Sequence, residues 1–321
     1  MMFTSVLRRQ VLPFIAGIAL ITLAGCGAGG SSPSPLPTSA ATPSATPSGG
    51  SDAASAWQLG TDPDQIGLGG VSAFAVPLDE GGVRLYVTDR EIKVYDSVNA
   101  TKFAQNTLAQ TPHGADPSIV DIEDGRKRMY YTHFIPGNSG RPGAGPGNPQ
   151  DHQKQVRSAT SSDGLVWSAD AGVRIEDAGL GVPDAVRTPD GGVRIYWVDQ
   201  MENIVSATSP DGLEFTPDAG TRLPKGYVDP AVIRATDGDW LMLVSTGPAQ
   251  PPQQLHVATS ADGLDWDIDE TPLDAGLGDA NVLDPTAIPV NESTFRVYFS
   301  SGDPKSGLDF ELWTTLMKKS G

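Results

Sequence analysis

The sequence reads SATSSDGLVW at 158–167, SATSPDGLEF at 206–215 and VATSADGLDW at 257–266. A degraded copy, SVNATKF, lies at 97–103. Each clear copy is a short strand, an Asp-Gly turn and then an aromatic residue. An Asp in such a turn caps its own backbone, the Gly takes the positive φ angle, and the aromatic packs between units. These residues are therefore expected to be structural. Upstream of the copies lie KRMYYTH (127–133), VRIYWVD (193–199) and WLMLVST (240–246); VRLYVTD (83–89) precedes the degraded copy and FRVYFSS (295–301) belongs to a fifth unit. These runs are rich in β-branched and aromatic residues and are bounded by turn signals such as Asp124-Gly125 and Asp190-Gly191. Ahead of each run is another short apolar segment, at 74–77, 116–120, 184–186, 229–233 and 284–288.

The unit is thus four short strands, A to D, and it recurs without helices. Such repeats predict a β-propeller. Five A strands, starting near residues 72, 116, 184, 229 and 284, predict five blades over 57–321. The last blade has A, B and C strands (C at 309–316), and then the chain ends. Trp57 precedes Phe74 by 17 residues, the interval that separates Trp167 from Asp184. A strand beginning near Trp57 is therefore expected to complete the fifth blade. That closure removes sheet edges that would otherwise pair with other chains.

The chain has 321 residues, with 39 Asp plus Glu, 22 Lys plus Arg, 4 His, a single Cys and a formal net charge of −17. This balance excludes an electrostatic footprint for nucleic acid or anionic headgroups, and one Cys cannot form an internal disulfide. Arg8 and Arg9 precede an apolar run at 11–23 and then LAGC at 23–26. The run is short for a bilayer span, which needs roughly 20 apolar residues, and has the layout of an export signal. LAGC resembles a bacterial lipobox. That resemblance implies removal of 1–25, lipidation of Cys26 and anchoring on the outer side of a bacterial membrane. Residues 26–56, rich in Ser, Pro and Thr, are expected to be a disordered tether.

Strand direction places the A-strand starts, the B–C loops and the D–A loops on one face, and the Asp-Gly turns on the other. Asp116, Asp184, Asp229 and Asp284 start four A strands, with Phe74 in the first blade's position, so four carboxylates converge on the channel mouth. Such crowding calls for a divalent cation such as Ca2+, a basic partner, or raised pKa values. The B strands end, in alignment, with Asp89, His133, Asp199, Ser245 and Ser301. The longest B–C loops, 135–153 and 247–253, fall on the same face, where a rigid scaffold commonly carries a site. The simpler reading of an Asp before Pro is a repeated backbone cap. His256 fits a packed strand position, and His113 and His152 lie in loops without metal-ligand spacing.

A five-bladed ring with Asp-Pro at A-strand starts resembles the arabinanase, β-xylosidase and invertase-like clan of glycoside hydrolases, and the Asp-Gly turns resemble the Asp boxes of sialidase-like propellers. The resemblance implies hydrolysis by an Asp base, a second Asp and a Glu acid, each on an innermost strand, with no cofactor required. Inversion by two carboxylates needs roughly 6.5–9.5 Å between them. Asp116, Asp184, Asp229 and Asp284 would be the catalytic group, with Asp89, His133, Asp199 and Glu202 binding a carbohydrate. Phe74 stands where the family's base is expected, and no inner strand begins with Glu. A non-catalytic glycan- or partner-binding propeller is the rival expectation.

Overall fold

Runs such as VRIYWV and WLMLVS alternate large apolar residues with small or polar ones, which suits a pleated strand with packing on both faces. The computed structural model describes residues 56–139, 152–235, 238–305 and 309–320. In these residues 21 strands form five antiparallel sheets, with two single 3-10 turns. The signal segment, Cys26 and most of the tether lie outside the described residues.

Blade one is β3 (Val71–Pro77), β4 (Val83–Asp89), β5 (Glu91–Ser97) and β6 (Ala104–Gln105). Blade two is β7 (Ala115–Asp121), β8 (Lys127–Ser139), β9 (His152–Ser161) and β10 (Ser168–Ala169). Blade three is β11 (Gly181–Arg187), β12 (Val193–Val198), β13 (Ile204–Ser209) and β14 (Thr216–Pro217). Blade four is β15 (Tyr227–Arg234), β16 (Trp240–Thr246), β17 (Leu255–Ser260) and β18 (Asp267–Ile268). Blade five takes β19 (Asn281–Asn291), β20 (Thr294–Gly302) and β21 (Glu311–Lys319) from the C-terminal end. Its outer strand comes from the other end, as β1 (Trp57–Leu59) and β2 (Asp64–Gly69), both paired with β21. Trp57 pairs with Lys319, so the closure expected from the Trp spacing is present. The innermost strands pack β3 on β7, β7 on β11, β11 on β15, β15 on β19 and β19 back on β3.

The core is divided among the joints between blades. Five buried clusters fill the five joints, and the blade four–five cluster includes Trp57 against Phe295, ring centroids 5.6 Å apart. A repeated hydrogen bond fixes four of the five joints on the turn face. Tyr86 donates to the carbonyl of Gly164 (2.6 Å), Tyr130 to that of Gly212 (2.8 Å), Tyr196 to that of Gly263 (2.7 Å) and Tyr298 to that of Ala100 (2.9 Å). The B-strand Tyr of one blade therefore holds the Asp-Gly turn of the next. A Cβ at Gly212 would lie 2.5 Å from the Tyr130 hydroxyl, so glycine is required there for contact as well as for its φ of 72°. Asp163 confirms the capping role: its Oδ1 accepts from the amides of Leu165 (2.8 Å) and Val166 (2.9 Å). Blade four has Leu243 at the Tyr position. Its neighbour, blade five, is joined through the chain ends and has no such turn to hold.

Trp57 is buried and completes a joint, so Trp57→Ala should cost about 3–5 kcal/mol. Tyr196→Phe should cost about 1–2 kcal/mol by leaving a buried carbonyl unpaired. Urea unfolding of the compact unit Asp52–Gly321 measures both, and equal stability of the Trp57 variant and the parent would contradict the closure.

Candidate functional site

An innermost strand has no neighbour on its axial side, and each of the five carries a bulge near its start. The register skips between Val71 and Phe74, Ala115 and Ser118, Gly181 and Asp184, Val228 and Ala231, and Leu283 and Thr286. The first bulged residues are Ser72, Asp116, Val182, Asp229 and Asp284, all with φ between 47° and 56°. A β-branched residue such as Val182 seldom adopts that region, so the bulge is enforced by the ring. The following residue is Pro in four blades (Pro117, Pro183, Pro230 and Pro285), which removes an N–H that the bulge would leave unpaired.

This register corrects two expectations. The first blade's mouth residue is Ser72, not Phe74. Asp184 is not equivalent to the other three aspartates: Val182 holds that position, and Asp184 lies two residues deeper, level with Phe74, Ser118, Ala231 and Thr286. A two-residue offset keeps the side chain on the same face of a strand, so apolar patterning does not reveal it. The B-strand alignment also shifts at one point. Thr246, not Ser245, is level with Asp89, His133, Asp199 and Ser301; Ser245 aligns with Thr88, Thr132, Val198 and Ser300.

The deeper layer joins blades. Ser118 accepts from the amide of Ala185 (2.9 Å), Asp184 Oδ2 from that of Val232 (2.7 Å) and Thr286 from that of Ala75 (3.2 Å). In each case a side chain caps the next blade's inner strand at the same register. Ser118 also donates to Asp184 Oδ1 at 2.9 Å, so Asp184 ties blades two, three and four together. The B-strand hydroxyls act similarly: Thr88 accepts from the amide of Asp116 (2.9 Å) and Ser245 from that of Asp284 (3.1 Å).

Asp229 and Asp284 are buried at the mouth and Asp116 is half-buried. Asp284 accepts from the Ser72 hydroxyl at 3.3 Å and from the Ser72 amide. Asp229 accepts from Ser245 and the Asp284 amide, and the two carboxyl groups are close enough for each to influence the other's ionisation. Burial raises both pKa values, and the negative charge of Asp116 acts in the same direction. Burial also pushes Asp184 up to about 7, against the hydrogen bonds it accepts. The cavity that these groups line holds only about 30 Å³, space for a water or two and not a sugar ring.

The flanking residues are brought to the same face, but most are turned to local partners. Asp89 pairs with Lys93 (2.6 Å) and Glu202 with Lys225 (2.8 Å). Asp199 caps its own loop through the amides of Met201 and Asn203, both at 2.9 Å. His133 is half-buried, and His256 is packed edge-on against Tyr227 with Nδ1 3.0 Å from the carbonyl of Asp269. Among the described residues no group of three or more His, Cys, Asp or Glu side chains is arranged to hold a metal ion. Lys154 was not anticipated. It is buried beside the mouth, donates to the carbonyl of Leu180 at 2.7 Å and lies near enough to Asp116 to feel its charge; burial lowers its pKa. No spacing rule marks it, because the following blade creates its surroundings.

A second cavity, about 520 Å³, opens on the same face at blade five. Trp313 forms one wall, with Asp279, Asp303, Asp309 and Glu311 around it.

No protein-family model matches the chain and no curated protein matches it in sequence. Solved structures match in fold. A thermostable family-43 glycoside hydrolase superposes with a TM-score of 0.59 at 16% identity, over 81% of this chain and 96% of that one. An endo-arabinase from Bacteroides thetaiotaomicron gives 0.56 at 13%, over 78% and 95%. An N-acetylgalactosamine deacetylase from F. plautii, solved with blood group B trisaccharide, gives 0.58 at 13%, over 82% and 95%. The chain is a five-bladed propeller with structural neighbours among glycoside hydrolases.

Because burial raises Asp184 above its unfolded value near 3.9, the folded state holds that proton more tightly. The associated stability is complete below about pH 4 and is lost as pH rises to about 7, on the order of a few kcal/mol. Asp184→Asn should therefore flatten the pH dependence of the urea midpoint between pH 4.5 and 7.5. Some slope should remain, because Asp229 and Asp284 titrate in the same direction. An unchanged slope would place the ionised form of Asp184 in the native state throughout.

Proposed function

We propose that this protein is an exported, lipid-anchored carbohydrate-binding propeller that holds a glycan on the face around the channel mouth without hydrolysing it. One observation carries the reading. The first- and third-blade mouth positions hold Ser72 and Val182, neither of which can serve as a general acid or base there. The hydrolase resemblance needs an ionisable group at the first of them and a Glu on an innermost strand. The buried acids that remain are occupied in joining blades, and only Asp116 is open enough to meet a ligand.

The binding half of the proposal draws on three supports. The structural neighbours include enzymes whose names specify arabinan and N-acetylgalactosamine substrates. The mouth face carries half-buried aromatic side chains at Phe134, Tyr227, Phe310 and Trp313. The cavity beside Trp313 falls in the 300–1,000 Å³ range of small-ligand sites. An indole wall with carboxylates around it offers a sugar an apolar face and hydrogen-bond acceptors. Export and anchoring rest on the LAGC sequence ending in Cys26.

A glycan array followed by calorimetry on the Asp52–Gly321 unit tests the binding half. Asp116→Asn should weaken the best ligand about tenfold or more, as expected for loss of a charge-assisted hydrogen bond. A panel of chromogenic glycosides should show no turnover. Hydrolysis that disappears in Asp116→Asn or Asp229→Asn would overturn the proposal in favour of an enzyme. For the anchor, Cys26→Ser should leave a precursor of unprocessed mass in place of a lipid-modified mature chain, as read by mass spectrometry.

A further inference from the structure

Cations are scarce in this chain; among the described residues seven Lys and Arg side chains pair with a carboxylate, and others, such as Arg174, Arg222 and Lys154, donate to backbone carbonyls. Arg84 pairs with Asp96 (2.7 Å), Arg128 with Asp170 (3.2 Å) and Arg194 with Asp218 (3.2 Å). At the rim of blade two a guanidinium is held by a neutral side chain. Arg157 on β9 donates through Nε (3.2 Å) and Nη2 (3.0 Å) to the amide oxygen of Gln155, a neutral group. Gln155 is buried and its Nε2 donates to Glu176 at 2.8 Å, which fixes the amide and hence the guanidinium. His133 on β8 lies between Arg157 and His113, which precedes β7. Among the described residues no carboxylate lies within ion-pair distance of Arg157, His133 or His113.

With nearly two acids for every base, a carboxylate would be easy to supply at this rim. The sequence supplies a neutral amide instead and sets the His133 imidazole near the guanidinium, with His113 on its far side. Burial lowers the His133 pKa and the Arg157 charge lowers it further, against a hydrogen bond with the His113 backbone. An approaching anion would reverse that repulsion. The guanidinium edge bearing Nη1 takes part in no hydrogen bond to a described residue, and a planar fork of this kind matches a carboxylate or sulfate.

We infer that the rim of blade two is a subsite for the anionic group of an acidic glycan, a uronate carboxylate or a sulfate ester, gripped by Arg157 with His133 and His113 beside it. The inference rests on the carbohydrate-binding reading and adds the class of sugar. It also gives the mouth a polarity, with cations at blade two and the Asp- and Glu-walled cavity at blade five. Gln155 is a positioning residue in this scheme.

The test measures affinities of the full chain for methyl glucuronide, methyl glucoside and glucose 6-sulfate, with the His133 and His113 imidazole signals followed by NMR. The glucuronide should bind at least tenfold more tightly than the glucoside and should shift both imidazoles to saturation. A comparable gain for the sulfate would assign the site to either anion; a gain for the glucuronide alone would assign it to carboxylates. Arg157→Gln should bring the glucuronide-to-glucoside ratio to near one, and Arg157→Lys should retain part of it. If Arg157→Gln melts early, His133→Gln reads the same ratio without touching the guanidinium. Equal affinity for charged and neutral sugars, or a preference that survives Arg157→Gln, would overturn the subsite and leave the carbohydrate reading intact. No binding of any of the three sugars to the parent would remove the subsite, while the glycan array decides the broader reading separately.

Discussion

The amide groups of the innermost strands control the chemistry of this propeller. Those strands ring an axis with no further strand beside it, and an unpaired N–H there would carry a desolvation cost of about 1–3 kcal/mol. The chain answers with side-chain acceptors reaching across the joint: Ser118 to Ala185, Asp184 to Val232, Thr286 to Ala75, Thr88 to Asp116 and Ser245 to Asp284. Polar groups that look catalytic when projected on a sequence are therefore partly components of the scaffold. A carboxylate committed to a neighbouring blade's amide has lost the freedom that proton transfer to a substrate demands.

The fold was legible because its determinants are local. An Asp-Gly turn, an aromatic after it and a β-branched run before it recur in the same order, and the Trp57 spacing disclosed the closing strand. Even the exception has a local cause, since Leu243 replaces Tyr in the one blade whose neighbour lacks the turn. The site was legible only in outline. Alignment on the aspartates matched Asp184 to Asp116, Asp229 and Asp284, whereas alignment on the prolines would have matched Val182-Pro183 to the three Asp-Pro pairs. The aspartates were the chemically attractive marker, but the prolines answer the backbone's need at the bulge. Lys154 and the Arg157–Gln155–Glu176 relay were invisible because their partners come from strand register and from the adjoining blade.

The fold resemblance and the mouth chemistry separate at specific atoms. Shared architecture with glycoside hydrolases extends over about four-fifths of the chain, while Ser72 and Val182 occupy the positions where an ionisable group would be most telling. A fold supplies a rim and an axis; the residues on them decide what is done there.

The first and last described strands of the propeller meet within the fifth blade, where the Ser320 amide donates to the Ala56 carbonyl at 2.8 Å. Peptide continuity across that gap is thus a matter of a few atoms. A gene rearranged to fuse the ends and to begin at another blade boundary should encode the same ring. Traction applied through the N-terminal segment would fall first on β1 and its pairing with β21, leaving the joints among the other four blades unloaded.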